Sequence, residues 1–151
     1  MAPQAPPEQI DAQSLDDYLE IMAKVVFESG MSWKVVENKW SGIREAFHNF
    51  DIHTVADMVP PEIDDLVQDT RVIRNRRKLE AIVSNAQKML DLEAEHGSFK
   101  TYLNSFDDFD DAIKTMKKDF KFLGVFGTYY FLYVVKEPVP PHDEFQAKYR
   151  K

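Results

Sequence analysis

The sequence has no cysteine in 151 residues, which excludes disulfides, thiol nucleophiles and thiolate metal sites at once. A bound metal ion would depend on carboxylates and on the histidines His48, His53, His96 and His142. Apolar runs of about eighteen residues, as a membrane span requires, are also missing. The first residues, MAPQAPPEQIDAQSL, lack the basic and apolar regions of a signal peptide. We therefore expect a soluble, cytoplasmic protein without a membrane partner.

Basic residues are outnumbered, with 19 Lys and Arg against 26 Asp and Glu and a formal net charge of -7. An acidic protein does not coat nucleic acid indiscriminately, although local basic patches still bind it. Five of the cations fall within residues 71–78, RVIRNRRK. Two interpretations remain open for this stretch. It is either a solvated face that balances neighbouring carboxylates or a phosphate-binding surface.

Apolar residues recur at helical spacing along most of the chain, and the alternation typical of strands is rare. The most periodic segment predicts a helix that ends before Gly97, with an apolar stripe of Leu79, Ile82, Val83, Ala86, Met89 and Leu90. Residues 1–13, which are rich in proline, fit a disordered lead-in, and residues 14–151 fit one domain. The aromatic run 129–135 is compatible with a strand or with a buried helix. We predict an all-α fold, a compact multi-helix domain with roughly seven or eight short helices.

The first two helices carry clear start and stop signals. Ser14 with Asp17 forms a potential capping box for the first helix, and Gly30 offers the left-handed residue that ends it. Ser32 can cap the second helix. Trp33, one residue inside that helix, occupies a position that is usually core, whereas an exposed Met31 in the preceding turn could wedge between DNA bases.

A second turn, FLGVFG at 122–127, contains Gly124 and Gly127 between apolar residues. Backbone N–H groups at the start of the helix that follows can bind an anion. Lysines lie just upstream, at Lys114, Lys117, Lys118 and Lys121. The anion could be a DNA phosphate, and a plain helix-to-helix turn is the other interpretation. No Rossmann, Walker, zinc-finger or Ser-His-Asp spacing occurs.

Several motifs occur together in one order: GMSW at 30–33, REAFHNFD at 44–51, LVQD at 66–69, VIRNRRKLEAIVSNAQ at 72–87, SFKTYLNSF at 98–106 and FKFLG at 120–124. In this order the chain resembles the bacterial 3-methyladenine DNA glycosylase I family of the helix-hairpin-helix superfamily, from about Leu15 to His142. The resemblance implies an all-α enzyme of base-excision repair. Such an enzyme flips an alkylated purine out of the duplex and hydrolyses its N-glycosidic bond.

The resemblance also implies site residues. Trp33 is the first choice for the surface that stacks on the base, and Tyr129 is a further choice. Helical spacing alone, and not the resemblance, makes Glu28 the candidate catalytic group, since it lies on the same helix face as Val25. The candidate DNA-binding residues are Met31, Arg74, Arg76, Lys78, Lys121, Gly124 and Gly127. The expected partner is double-stranded DNA with alkylated bases, bound by a monomer without a cofactor.

The chain departs from the family pattern near the chemistry. Val25 stands where the family has the glutamate that contacts the base, and the family's aromatic N-terminal segment has no counterpart before Leu15. The family's zinc site uses two cysteines and two histidines, of which only His142 lies near a matching position, so we predict no metal. Two alternatives therefore stay open: a catalytically inactive module that binds damaged or bent DNA, and a helical interaction domain that has lost DNA binding.

Overall fold

The computed structural model describes residues 7–149, and every regular element in that range is helical, as predicted. Nine α-helices and one 3-10 turn, His48–Phe50, occur within this range. The helices are α1 (Leu15–Glu28), α2 (Trp33–Ala46), α3 (Ile52–Ala56), α4 (Pro60–Val67), α5 (Arg76–His96), α6 (Phe99–Leu103), α7 (Phe109–Asp119), α8 (Val125–Val134) and α9 (His142–Tyr149). The aromatic run 129–135 falls mostly in α8, so the helical interpretation of that run is correct.

The longest helix, α5, lies at the centre of the packing and contacts α1, α3, α4 and α6. Its predicted apolar stripe is buried, and Leu79, Ile82 and Met89 are fully inaccessible. Burial of each such side chain stabilises the fold by about 1.5–3 kcal/mol. Asn75 caps the helix by accepting a hydrogen bond from the Lys78 N–H. None of the helices in residues 7–149 has the length and apolar character to cross a bilayer.

The turn 29–32 joins α1 to α2. Gly30 adopts a φ of 73°, the left-handed conformation predicted for the end of the first helix. The predicted capping box is wrong in its detail, because the Ser14 side chain makes no capping bond. The Asp17 carboxylate instead accepts from the Gln13 N–H at 2.8 Å. The first N–H groups of α1 therefore receive no hydrogen bond from the Ser14 side chain.

Part of the predicted disordered lead-in is ordered. The Ile10 N–H donates to the Val134 carbonyl at 2.8 Å, and the Gln9 amide donates to the Tyr133 carbonyl at 2.8 Å. Gln9 and Ile10 therefore lie at the end of α8 and satisfy two of its last carbonyl groups, which have no partner inside the helix. Residues 1–6 of the predicted lead-in lie outside the described residues.

The connection 120–124 joins α7 to α8, at the position of the predicted helix-hairpin-helix element, and α7 packs against α8. The Asp108 carboxylate caps α7 by accepting from the Asp111 N–H at 2.8 Å. At the other end, Gly124 is the N-cap of α8 and provides no side-chain capping bond. The first N–H groups of α8 are therefore left without a side-chain cap.

The last helix, α9, was not predicted, because prolines at 138, 140 and 141 directly precede it. Its Phe145 ring is buried and stacks on Tyr129 with centroids 4.0 Å apart. Phe109 and Phe126 contact the Phe145 ring edge-on. We call these four residues the α9 aromatic cluster. It fixes α9 against the start of α7 and of α8.

Candidate active site and nucleic-acid interface

The corner between α1 and α2 exposes large apolar side chains. Trp33 is 43% exposed, Met31 37% and Val35 42%. The core interpretation of Trp33 is therefore not what the structure shows. The core tryptophan is Trp40, which is 9% exposed and donates its indole N–H to Glu20 at 2.8 Å. Trp33 leaves an indole face open at the turn, where a planar ligand can stack.

Glu28, the last residue of α1, is half-buried beside this corner. Burial, and then the nearby Glu37 carboxylate, raise the pKa of Glu28 from its ordinary value of 4.5 to about 7, against the opposing effect of Lys24. Lys24 itself pairs with Glu37 at 3.2 Å. Since Glu28 exchanges its proton near neutral pH, it can serve as an acid, a base or a charged contact.

Tyr130 of α8 belongs to the same electrostatic environment. Burial raises the pKa of Tyr130, and the carboxylates of Glu28 and Glu37 raise it further. Its neighbour Tyr129, the predicted base-binding tyrosine, lies elsewhere. The Tyr129 hydroxyl donates to the Pro140 carbonyl at 2.8 Å, and its ring belongs to the α9 aromatic cluster. The structure therefore brings Tyr130, and not Tyr129, towards Glu28.

Val25, at the position of the family glutamate, is buried against α8. A Cβ atom added at Gly127 would lie 2.8 Å from Val25 Cγ1, so the two residues fit only because Gly127 has no side chain. Gly127 thus serves the close approach of α1 and α8. The predicted DNA contact at Gly127 would have to come from its backbone.

The connection 120–124 is fixed by a buried amide. The Asn85 side chain of α5 accepts from the Lys121 N–H at 2.9 Å and donates to the Lys121 carbonyl at 3.1 Å. Asn85 is 1% exposed. Phe122 follows in a left-handed conformation with φ 60°. Lys121 and Gly124 are exposed on this connection, as a phosphate-binding role requires.

The cations of residues 71–78 lie in different environments. Arg71 pairs with Asp69 at 2.7 Å, and Arg76 pairs with Asp64 at 2.5 Å and with Glu80 at 3.7 Å. The Lys78 amine is buried and donates to the carbonyls of Phe27 and Ser29. Burial lowers the pKa of Lys78. The prediction that Lys78 contacts phosphate is therefore wrong, because its amine caps the end of α1.

Two arginines of the same stretch remain free for a ligand. Arg74 and Arg77 are exposed, and neither has a carboxylate within ion-pair distance in the part of the chain that the structure describes. Arg74 was predicted as a DNA contact, whereas Arg77 was not singled out. Its guanidinium lies over the Phe122 ring, 5.8 Å from the centroid. Only the tertiary packing of α5 on the connection 120–124 reveals this.

The residues near His142 do not fit the zinc site that the family resemblance implies. The His142 ring is within hydrogen-bond distance of the Gln146 amide at 3.2 Å, and it meets the Tyr129 ring edge-on. Three or more His, Asp or Glu side chains arranged to hold a metal ion are not found between residues 7 and 149. Aromatic packing by α9 occupies this end of the molecule.

Comparison with known sequences gives one consistent result. Residues 11–123 match the family described as methyladenine glycosylase. DNA-3-methyladenine glycosylase of Haemophilus influenzae is 39% identical over 93 residues, which cover 60% of this chain and 50% of that protein. DNA-3-methyladenine glycosylase 1 of Escherichia coli is 38% identical over 79 residues, which cover 52% and 42%. The chain thus spans about half the length of the curated relatives it matches.

Comparison with solved structures extends the similarity over more of the chain. A structure of 3-methyladenine DNA glycosylase I from Staphylococcus aureus superposes with a TM-score of 0.74 at 27% identity, covering 85% of this chain and 79% of that one. A variant of 3-methyladenine DNA glycosylase I in complex with 3-methyladenine gives a TM-score of 0.73 at 28% identity, covering 85% and 80%.

Proposed function

Because the chain belongs to the methyladenine glycosylase family, we propose that it is a DNA glycosylase that releases alkylated purines such as 3-methyladenine from duplex DNA. The observation that carries this proposal is the exposed Trp33 indole at the α1–α2 corner of that family's fold. The reaction is hydrolysis of the N-glycosidic bond after the damaged base has left the stack.

The corner between α1 and α2 suits a flipped, cationic base. Unstacking a damaged base costs a few kcal/mol, and stacking on an aromatic face returns about 1–3 kcal/mol. A 3-methylated adenine in DNA carries positive charge, which an indole attracts through its π face. The same charge makes the base a good leaving group, so the reaction needs little acid catalysis. Trp33 binds the base in this proposal, and Met31 lies beside the vacated stack.

Glu28 supplies the polar group of the proposed site. Its carboxylate form stabilises positive charge on the base and on the sugar as the bond breaks, and it can orient the attacking water. Val25 leaves no carboxylate at the family position. In this proposal Glu28 therefore supplies the carboxylate, with Tyr130 beside it. The proposed DNA grip comprises the N–H groups at the start of α8, together with Lys121 and Arg74.

The direct test is release of free base from DNA that has been treated with a methylating agent, measured by chromatography of the ethanol-soluble fraction. Release of 3-methyladenine above the rate without protein supports the proposal. Binding without release would instead favour the inactive DNA-binding module, which the apolar packing of Val25 on Gly127 makes the second candidate. The matched control is the protein with Glu28→Gln, which keeps the size of the side chain and removes its charge.

The proposed setting of this activity is the cytoplasm, where a monomer acts on double-stranded DNA with alkylated bases. Sedimentation of the protein alone and with one short duplex tests the monomer. A one-to-one complex is expected, and a stable dimer without DNA would contradict this part of the proposal.

A further inference from the structure

Arg77 differs from the other cations of residues 71–78 in how it is held. Its guanidinium lies over the face of Phe122, whereas Arg71 and Arg76 point into carboxylates. A cation–π contact of this kind leaves the N–H groups of the guanidinium free for acceptors. The contact with Phe122 also restricts the Arg77 side chain before a ligand binds, so less conformational entropy is lost on binding. The free N–H groups of the Arg77 guanidinium can donate two parallel hydrogen bonds to the oxygens of one phosphate.

The Phe122 ring that supports Arg77 is itself fixed. The preceding residue, Lys121, is tied through both its N–H and its carbonyl to the buried Asn85. Asn85 and Arg77 both belong to α5. A single helix therefore sets the backbone of the connection 120–124 and places a cation beside it. The geometry does not depend on a flexible loop.

The surroundings of Phe122 favour an anionic partner. Lys117 and Lys118 occupy the last turn of α7, and Lys121 is exposed directly before Phe122. Among the residues that the structure describes, these lysines have no carboxylate within ion-pair distance. Beyond the connection lies the uncapped start of α8, which favours negative charge. A phosphodiester backbone presents anions at the regular spacing that several such positions can use together.

We propose that Arg77, whose guanidinium lies over Phe122, binds a DNA phosphate next to the one held at the start of α8. This inference rests on the proposed function, since it takes duplex DNA as the partner. Arg77 adds a further charged side-chain contact to the proposed grip, which comprises the N–H groups at the start of α8, Lys121 and Arg74. Its role is to hold the duplex in register with the α1–α2 corner, not to take part in bond cleavage.

The test is binding of the full chain to an undamaged labelled duplex, followed by fluorescence anisotropy from about 50 to about 200 mM KCl. Arg71→Gln is the matched control, because Arg71 lies in the same stretch but is occupied by Asp69 and Glu45. Arg77→Gln is expected to weaken binding about three- to tenfold at low salt and to reduce the salt slope by about one. Arg71→Gln is expected to stay within about twofold of the unmodified protein.

A conservative variant separates charge from stacking. Arg77→Lys keeps the charge but loses the planar group, so the salt slope is expected to persist while part of the affinity is lost. The unfolding midpoint of each variant should match that of the unmodified protein, since the three substitutions are on the surface.

Two results would overturn the inference and leave the proposed function standing. One is an unchanged affinity and slope for Arg77→Gln. The other is an equal loss for Arg71→Gln, since the effect would then follow net charge instead of the position of Arg77 over Phe122. If the unmodified protein shows no affinity for duplex DNA at low salt, the proposed function fails, and this inference fails with it.

Discussion

Trp33 and Trp40 lie two turns apart on α2, on nearly the same face of the helix. Their environments nevertheless differ. Trp40 is covered by α1, and its ring stacks on Phe50 with centroids 5.5 Å apart. Trp33 lies at the helix start, beyond that cover. One face of α2 therefore changes from core to open surface within two turns, and the proposed base-binding surface lies at the open end.

This contrast predicts opposite outcomes for two alanine variants. Trp33→Ala should reduce base release at least tenfold while changing the free energy of unfolding by less than about 1 kcal/mol. Trp40→Ala should cost about 3–5 kcal/mol of stability, because it empties a core position. Single-turnover release and urea denaturation measure the two quantities. Unaltered release by Trp33→Ala would mean that another surface receives the base.

Glu28 predicts a pH dependence of defined sign. A pKa raised from 4.5 to about 7 means that the folded protein keeps a proton that the unfolded chain has lost. The stabilising contribution of protonated Glu28 is complete below pH 4.5 and is lost as the pH rises through about 7. Glu28→Gln should therefore gain stability relative to the unmodified protein across this window. Urea denaturation at several pH values measures the difference.

The same ionisation should appear in the reaction. Base release by the unmodified protein is expected to rise as the pH passes about 7, where the Glu28 carboxylate forms. The Glu28→Gln variant should be slower and without this rise. Glu144, an exposed glutamate on α9, provides the control. If Glu144→Gln changed the pH profile as Glu28→Gln does, the titrating group would not be Glu28.

At the residue scale, the sequence predicts identities better than orientations. The resemblance indicates Trp33 and helical spacing indicates Glu28, and both stay predictions as site residues. The resemblance cannot decide between Tyr129 and Tyr130, because adjacent residues of a helix point about 100° apart and both are aromatic. The prediction for Lys78 failed for a different reason. Its amine turns inward to two carbonyl groups, and that contact depends on how α5 packs against α1.

At the element scale, the predictions succeed where apolar periodicity is strong. The stripe of α5 and the glycine end of α1 are both found as expected. The predictions fail where tertiary contacts override local signals. Gln9 and Ile10 of the predicted lead-in bond to carbonyls of α8, and α9 forms because Phe145 is buried. Short segments of this kind gain their order from packing and not from propensity.

The two amides of α5 allow a paired test of element positioning. Asn85→Ala leaves two backbone groups of Lys121 without partners, so a loss of about 2–4 kcal/mol of stability is expected. DNA binding should weaken as well, since the connection 120–124 is released. Gln87, which donates one bond to the Ala56 carbonyl at 2.9 Å, is the control. Gln87→Ala should cost about 1 kcal/mol and leave DNA binding unchanged. Equal binding by both variants would show that the Asn85 contact serves the fold alone.

At the scale of the whole molecule, the net charge of -7 conceals an uneven distribution. Many cations are neutralised in ion pairs, as Arg44 is by Glu20 and Lys136 by Asp11. The unpaired ones include Arg77 and Lys121, which lie at the connection 120–124. The acidic remainder repels a polyanion. DNA should therefore approach from this side and in few orientations.

The ends of the described chain also act at this scale, since both return to α8. Gln9 and Ile10 bind carbonyl groups of its last turn, and α9 packs on its first turn. Phe145→Ala should destabilise the protein by about 3–5 kcal/mol, because the ring is the centre of the α9 aromatic cluster. Tyr149→Phe, which loses only the hydroxyl bond to Asp110, should cost less than about 1 kcal/mol. Thermal unfolding compares them, and equal midpoints would mean that α9 contributes little to the fold.

The inward amine of Lys78 makes the α1–α2 corner accessible to chemical labelling experiments. An acylating reagent can modify this nitrogen only after it has left the carbonyls of Phe27 and Ser29, so the labelling rate follows the opening of the turn that carries Trp33. A nucleobase analogue lodged against the indole should slow that acylation, while exposed lysines such as Lys118 continue to react. The acylation rate of Lys78 thus reports whether the α1–α2 corner is occupied, and no dye or spin label has to be attached.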